Sequence, residues 1–378
     1  MGAEIQKVFR GRDSLKKLPQ MMEKLGMSRP MIVGGETLTG RLMKKNPMLL
    51  SAPVFCGYHP NPDLADAEAG VRLFEQQECD GLISIGGGSA MDTAKAIQAL
   101  LASGSMENVL AGKLPEKMSV PHLAVPGTAG SGSEATPTAV VYVNDRKLSL
   151  NSSGLTPGGV ILDASLLDSL PDYHKKSCAL DALCQGIESY WSRAATEDSR
   201  VHAYLAILGV LDNLRDYLAG DPHAADEMLD ASYQSGKAIS LTRTTAAHAM
   251  SYQITKKLGP AHGHACMLTL PALWDDLNRD EENRETLVQL SNIMRLGDPQ
   301  MGSRLLKGIL YDLEMEIPAR PEESALEELA RAVNVERLGN HPVSMTQEDV
   351  KRIYRIAFSK PNPMEKQACL DIWRYYGR

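Results

Sequence analysis

The residues best suited to chemistry lie in the second half of this sequence. Asp181, Gln185 and Glu188 recur at intervals of four and three residues, which puts all three on one face of a helix. His248 stands in a second helical pattern over 244–257, and His262-Gly263 follows the break at Gly259-Pro260. One carboxylate and two imidazoles from three elements could hold a divalent cation and leave positions open for water or substrate. Each also has an ordinary use when taken singly. An interior helical Asp serves as a hydrogen-bond or ion-pair partner, and a lone His as a satisfied core or surface residue. That ordinary use is assigned to His59, His122, His174, His202, His223 and His341. The six cysteines, at 56, 79, 178, 184, 266 and 369, form no CxxC pair and read as reduced thiols.

A second candidate site lies upstream. The apolar run Leu82-Ile83-Ser84-Ile85 leads into Gly86-Gly87-Gly88-Ser89, and a helical pattern begins at once. Glycines at such a turn admit a ligand to the backbone, and the helix N-terminus offers unpaired N–H groups to an anion. The run ending at Val125 leads likewise into Pro126-Gly127-Thr128-Ala129-Gly130-Ser131-Gly132-Ser133-Glu134. One glycine-rich turn could simply close tightly. Two in tandem, after successive parallel strands, would lie side by side at the carboxyl edge of a sheet, where α/β folds hold nucleotides.

The elements that must position these groups differ between the two halves. Up to about residue 168, short apolar runs such as Met31-Ile32-Val33 and Val160-Ile161-Leu162 alternate with helical patterns over 64–78 and 90–101. Near-continuous apolar strands separated by helices predict a parallel sheet covered on both faces. A β-hairpin over 139–150, turning at Asn144-Asp145-Arg146, interrupts the series. Past Leu170-Pro171-Asp172 the β signal disappears, and helical periodicity runs to the end with breaks such as Pro361-Asn362-Pro363. A cleft between the halves is the default site. The 378 residues carry 40 Lys+Arg against 47 Asp+Glu, a net charge of −7, which argues against nucleic acid and anionic membrane as partners. No apolar run approaches the roughly 18 residues of a membrane span, and the start has no apolar core of a signal peptide, so a cytosolic location is expected.

With these segments in view, the chain resembles the iron-dependent, group III alcohol dehydrogenase family over nearly its whole length. That family carries GGGSxxDxAK, here 86–95, and PTTAGTGSE, here 126–134 with Gly127 and Ser131 as variants. It also carries a Lys after the hairpin (Lys147), a DAxxHxxE helix, and two His fourteen positions apart, matched by His248 and His262. The resemblance implies an α/β plus all-α fold of the dehydroquinate synthase-like kind. A Rossmann-like dinucleotide-binding domain would occupy 1–169 and a helical metal-binding domain 170–378. It implies that Gly87, Gly88, Ser89 and Asp92 hold the pyrophosphate and nicotinamide ribose of NAD(H) or NADP(H). Thr128 and Ser131 would contact the same cofactor, and Lys147 would reach its ribose or phosphate. Asp181, His248 and His262 would bind a catalytic divalent metal (Fe, Zn or Mn), and a homodimer is expected.

Three positions depart from the family pattern. Gln185 replaces the first helix His, leaving a weaker carboxamide oxygen as a fourth metal ligand. Gly34-Gly35-Glu36 stands where an Asp often takes the adenosine ribose, so NAD and NADP are both open. Tyr252 replaces a further His and becomes a proton-relay candidate. The segments 241–252 and 262–265 look most like the branch that reduces sulfoacetaldehyde and phosphonoacetaldehyde. Arg243, with the hydroxyls of Thr242, Thr244 and Thr245, would suit a tetrahedral oxyanion; Asn151 and His264 complete the expected substrate pocket, and His264 is a second relay candidate. The expected reaction is reduction of a small anionic aldehyde. Alternatives are a dehydrogenase for small uncharged alcohols, a dehydroquinate-synthase-like cyclisation, and a non-catalytic nucleotide-binding protein.

Overall fold

The apolar runs form strands in the computed structural model, which describes residues 6–60, 62–144, 146–317 and 321–376. Six strands make one parallel sheet: β1 (Lys7–Arg10), β2 (Pro30–Gly34), β3 (Val54–Phe55), β4 (Gly81–Gly86), β5 (His122–Pro126) and the strand Gly159–Leu162. Between β5 and that last strand, β6 (Thr138–Val143) and β7 (Arg146–Asn151) form a separate antiparallel pair, which makes Gly159–Leu162 β8. Asp145, in the expected hairpin turn, lies outside the described residues. The order is β1-β8-β5-β4-β2-β3. Side chains alternate across the sheet: Met31, Val33 and Leu82 join one buried cluster, Ile32, Ile83 and Ile85 the other. Burial on both faces is why these strands read as unbroken apolar runs.

The chain moves outward from β2 to β3 and then returns to the other side of β2 as β4. The strand order therefore reverses between β2 and β4, and ligands of open α/β sheets bind outside the carboxyl ends at such a point. The helices of this part are α1 (Leu18–Leu25), α2 (Glu36–Lys45), α3 (Leu64–Gln76), α4 (Gly88–Ser103) and α5 (Met106–Leu110).

The second part is helical: α6 (Asp172–Trp191), α7 (Glu197–Leu218), α8 (Pro222–Thr242), α9 (Ala246–Leu258) and α10 (His262–Leu277), then further helices to Tyr375. Two compact units result. One runs to Leu170 and takes in Gly220–Gly236; the other holds Pro171–Ala219 and the chain from Lys237 onward. Most of α8, up to Gly236, thus packs with the sheet, although helical periodicity placed it with the second domain. Small residues explain this, since a Cβ on Gly132 would stand 2.5 Å from Gly236 Cα. Tyr233 Oη also donates to Gln6 Oε1 at 2.7 Å, and Arg10 pairs with Asp230 at 2.7 Å. No helix among the described residues is long and apolar enough to cross a membrane.

Candidate active site

In the first unit the two glycine turns leave adjacent strands in register, Gly86 paired with Pro126, and Gly127 N–H donates to Gly86 O at 2.8 Å. Gly86 adopts φ +149°, which favours glycine. A Cβ on Gly87 would lie 3.3 Å from the Thr128 side chain, and one on Gly88 3.4 Å from that of Ser131. Glycine therefore lets the second turn close over the N-terminus of α4. The turn is held from beneath by Lys95. The three protons of its buried ammonium are shared among Ser133 O, Ser133 Oγ, Thr136 O, Thr136 Oγ1 and Thr138 O, all 2.6–3.1 Å from Nζ. Burial, against the charges of Asp92 and Glu134, lowers its pKa to about 8. Asp92 accepts from Ser133 Oγ at 2.7 Å and from Val140 N–H at 3.0 Å, tying α4 to both the turn and β6. This bed of backbone N–H groups and small side chains at a sixteen-residue helix N-terminus fits a dinucleotide pyrophosphate.

In the second unit, α6, α9 and α10 bring Asp181, His248 and His262 together. His248 Nε2 lies 3.2 Å from Asp181 Oδ1 and His262 Nε2 4.0 Å from the same atom. Gly263 makes the approach possible, because a Cβ there would stand 2.1 Å from Ser177 O and 2.6 Å from Asp181 Cβ. Cys266 joins the group, and the four donor atoms all lie within 4.8 Å of one another.

Both imidazoles are oriented. Glu188, fully buried, accepts His248 Nδ1–H through one oxygen. Through the other it accepts from Thr245 Oγ1 at 2.6 Å and Ala247 N–H at 2.8 Å, capping the start of α9. Ser251 Oγ donates to His248 O at 2.8 Å, so it must accept from His262 Nδ1 at 3.2 Å. With Nδ1 engaged from behind, each ring turns its Nε2 toward Asp181, the carboxylate–histidine arrangement that serves metal ligation once Nε2 gives up its proton to the ion. Burial opposes ionisation of Glu188, but the His248 charge and its donors hold its pKa below the ordinary value. Burial also opposes protonation of both rings, yet Cys266, Glu188 and the hydrogen bond to Asp181 raise His248, and Cys266 and Asp181 raise His262. The same anionic field favours a divalent cation, and a carboxylate–imidazole–imidazole donor set suits one.

Comparison with known proteins bears on both sites together. The family model described as iron-containing alcohol dehydrogenase matches residues 6–164, and that of the Fe-containing alcohol dehydrogenase C-terminal region matches 176–358. The chain belongs to the iron-containing alcohol dehydrogenase family. That family works with NAD(P) and a divalent metal, in alcohol and aldehyde interconversion. The sequence is 37% identical to phosphonoacetaldehyde reductase of Streptomyces viridochromogenes over 57% of this chain and 58% of that protein. It is 31% identical to lactaldehyde reductase of Escherichia coli K12 over 69% of this chain and 71% of that one. Sulfoacetaldehyde reductase of Bifidobacterium kashiwanohense, solved with NAD+, superposes with a TM-score of 0.86. It is 26% identical, covering 96% of this chain and 99% of that one.

Within this family framework the remaining expected residues separate. Tyr252 stacks on His262, centroids 5.4 Å apart and planes 10° from parallel, so its phenol stands beside the cluster. Gln185 is buried on the α6 face that carries Asp181 and Glu188. Lys147 pairs with Tyr142 across the β6–β7 ladder, and its charge reaches Asp92. Asn151 ends β7, accepting from Thr138 Oγ1 at 3.2 Å. His264 is not brought to the cluster. Its Nδ1 meets Tyr173 Oη at 3.1 Å and its Nε2 the carbonyl of Met315, so both ring nitrogens are engaged away from the four donors. Arg243 is exposed just past α8, at φ +61°, and makes no ion pair among the described residues. Asn340 Nδ2 holds this bend by donating to Thr242 O at 2.7 Å and Thr244 O at 3.1 Å. Two of the expected hydroxyls point elsewhere: Thr242 bonds Ser189 Oγ and Thr245 bonds Glu188, both buried. Cys266, Ser251 and Lys95 had no role in the sequence reading. The i,i+4 spacing of His262 and Cys266 was the one available signal.

Proposed function

We propose that this protein reduces a two-carbon aldehyde bearing a strong anion, using NAD(P)H and a divalent metal. The substrate would be sulfoacetaldehyde, giving isethionate, or phosphonoacetaldehyde, giving 2-hydroxyethylphosphonate. The observation that carries the reading is Arg243. It is an exposed guanidinium without a carboxylate partner among the described residues, at a bend five positions before His248. The names of two relatives found independently, one by sequence and one by structure, both specify such an aldehyde.

Asp181, His248 and His262 would hold the ion, with Glu188 and Ser251 fixing the tautomers. Gly87, Gly88, Ser89, Asp92, Thr128, Ser131 and Lys147 would seat the dinucleotide. When bound, the ion supplies a Lewis acid for the carbonyl oxygen and the dinucleotide supplies hydride. Tyr252, held flat against His262, would pass a proton toward the nascent alkoxide through water. Arg243 would pair with the sulfonate or phosphonate.

The test is the initial rate of NADH and NADPH oxidation on both anionic aldehydes and a neutral aldehyde of similar size, with chelated and metal-reconstituted protein. A metal-dependent preference for one anionic aldehyde is expected. Arg243→Ala should cost that substrate about 1.5–3 kcal/mol in kcat/KM and spare the neutral one. Equal losses on both, or turnover of the neutral aldehyde alone, would refute the anion pocket.

A further inference from the structure

Cys266 stands one turn after His262 on α10, so the two side chains share a helix face. The thiol is fully buried, and its sulfur lies 3.9 Å from His262 Nε2. A tetrahedral ion with nitrogen or oxygen at about 2.0–2.1 Å and sulfur at about 2.3 Å needs its donors roughly 3.3–3.6 Å apart. Three of the six separations are 3.2 Å for His248–Asp181, 4.0 Å for His262–Asp181 and 3.9 Å for Cys266–His262, and all six lie within 4.8 Å. Side-chain shifts well below the width of an atom would close that shell. The other buried thiol of this region, Cys184, faces Met267 Sδ at 3.8 Å and is not among the four donors.

We infer that Cys266 is the fourth protein donor, binding as a thiolate and supplying what the carboxamide of Gln185 supplies poorly. The inference rests on the metal site of the proposed reductase and extends it to the identity of the ion. A carboxylate and a thiolate beside two neutral imidazoles neutralise a divalent cation completely, where one carboxylate with imidazoles alone leaves a net positive charge. The thiolate also makes the donor set softer and more polarisable, which selects zinc-type ions over Fe(II). Binding releases the thiol proton to solvent and involves no redox change. Expansion to five-coordination, which catalytic zinc reaches in its transition state, would give an oxygen ligand a place beside these donors.

Cobalt(II) is a suitable probe, because a thiolate ligand gives it an intense near-ultraviolet charge-transfer band that oxygen and nitrogen donors do not. Metal-free protein is titrated anaerobically with cobalt(II) to one equivalent, bound metal is counted, and the spectrum is recorded. The wild-type protein should show the band, Cys184→Ala should retain it, and Cys266→Ser should lose it while still binding cobalt. In competition, Cys266→Ser should lose more zinc affinity than Fe(II) affinity. One bound equivalent without the band, or a band that persists in Cys266→Ser, overturns the role of Cys266 and leaves the metal-dependent reductase intact. Wild-type protein that binds no cobalt overturns both. Where Cys266→Ser fails to fold, absence of the band from the wild-type protein still overturns the role of Cys266, and its presence in both the wild type and Cys184→Ala supports it.

Discussion

At the scale of single residues, the cluster depends as much on what stands behind the imidazoles as on the donors themselves. Glu188 engages His248 Nδ1, Thr245 and Ala247 at once, so it orients a ring and caps a helix with one carboxylate. Glu188→Gln keeps the volume but gives up one of the two acceptor oxygens, leaving a buried donor at the start of α9 unpaired. The expected result is a loss of metal affinity of roughly 10–100-fold, read by competition against a chromophoric chelator. Unchanged affinity would mean that the ring holds its orientation without the carboxylate. The sequence made Asp181, His248 and His262 legible because their motif spacings survive in the linear chain. Cys266 and Ser251 were not legible in this way. A cysteine and a serine are common in helices, and it is the meeting of α9 and α10 that sets Ser251 against His262 and gathers Cys266 with both imidazoles.

At the scale of elements, the parallel sheet was the most legible feature, because strands buried on both faces must be apolar throughout. The edge strand β1 was not legible. Lys7-Val8-Phe9-Arg10 is short and half polar, and it is a strand because it pairs with β8, Lys7 opposite Gly159 and Arg10 opposite Leu162, far along the chain. The pair β4–β5 also buries a titratable group. His122 Nε2 meets Ser84 Oγ at 2.8 Å, while Nδ1 is buried without a partner. A proton on that ring would sit in the sheet unsolvated. Burial, helped by the Lys95 charge, therefore lowers its pKa from 6.5 to about 3. The unfolded chain takes up this proton below about pH 6.5 and the folded chain does not, so stability present above the ordinary histidine pKa drains away as pH falls. The loss is about 1.4 kcal/mol per pH unit until the folded pKa is approached. His122→Gln preserves a partner for Ser84 and should flatten the decline between pH 6 and 4 by about that slope, measured by urea unfolding. Parallel declines in the two proteins would place the acid sensitivity elsewhere.

At the scale of the molecule, the chemistry is divided between two units that differ in what they recognise. The glycine turns, Lys95 and Asp92 belong to the sheet unit, and all four candidate metal donors belong to the helical unit. Helical periodicity alone could not reveal that Gly220–Gly236 belongs with the sheet. That assignment depends on a glycine-to-glycine contact between distant segments. Each ligand should stabilise the elements that hold it, because binding energy is gained only while those elements are formed. At a free ligand concentration near 100 Kd the gain is about 2.7 kcal/mol, or about 100-fold in the rate of opening-limited amide exchange. Hydrogen exchange on NAD+ alone should therefore slow amides over 87–91 and 127–133, at the start of α4 and in the second turn. Exchange on zinc alone should slow those of α6, α9 and α10 around 181–188, 245–251 and 262–266. A chelator should reverse the second set and leave the first unchanged. Zinc protection that falls on the glycine turns and misses the three helices would remove Asp181, His248 and His262 from the metal site, whatever the activity of the loaded enzyme.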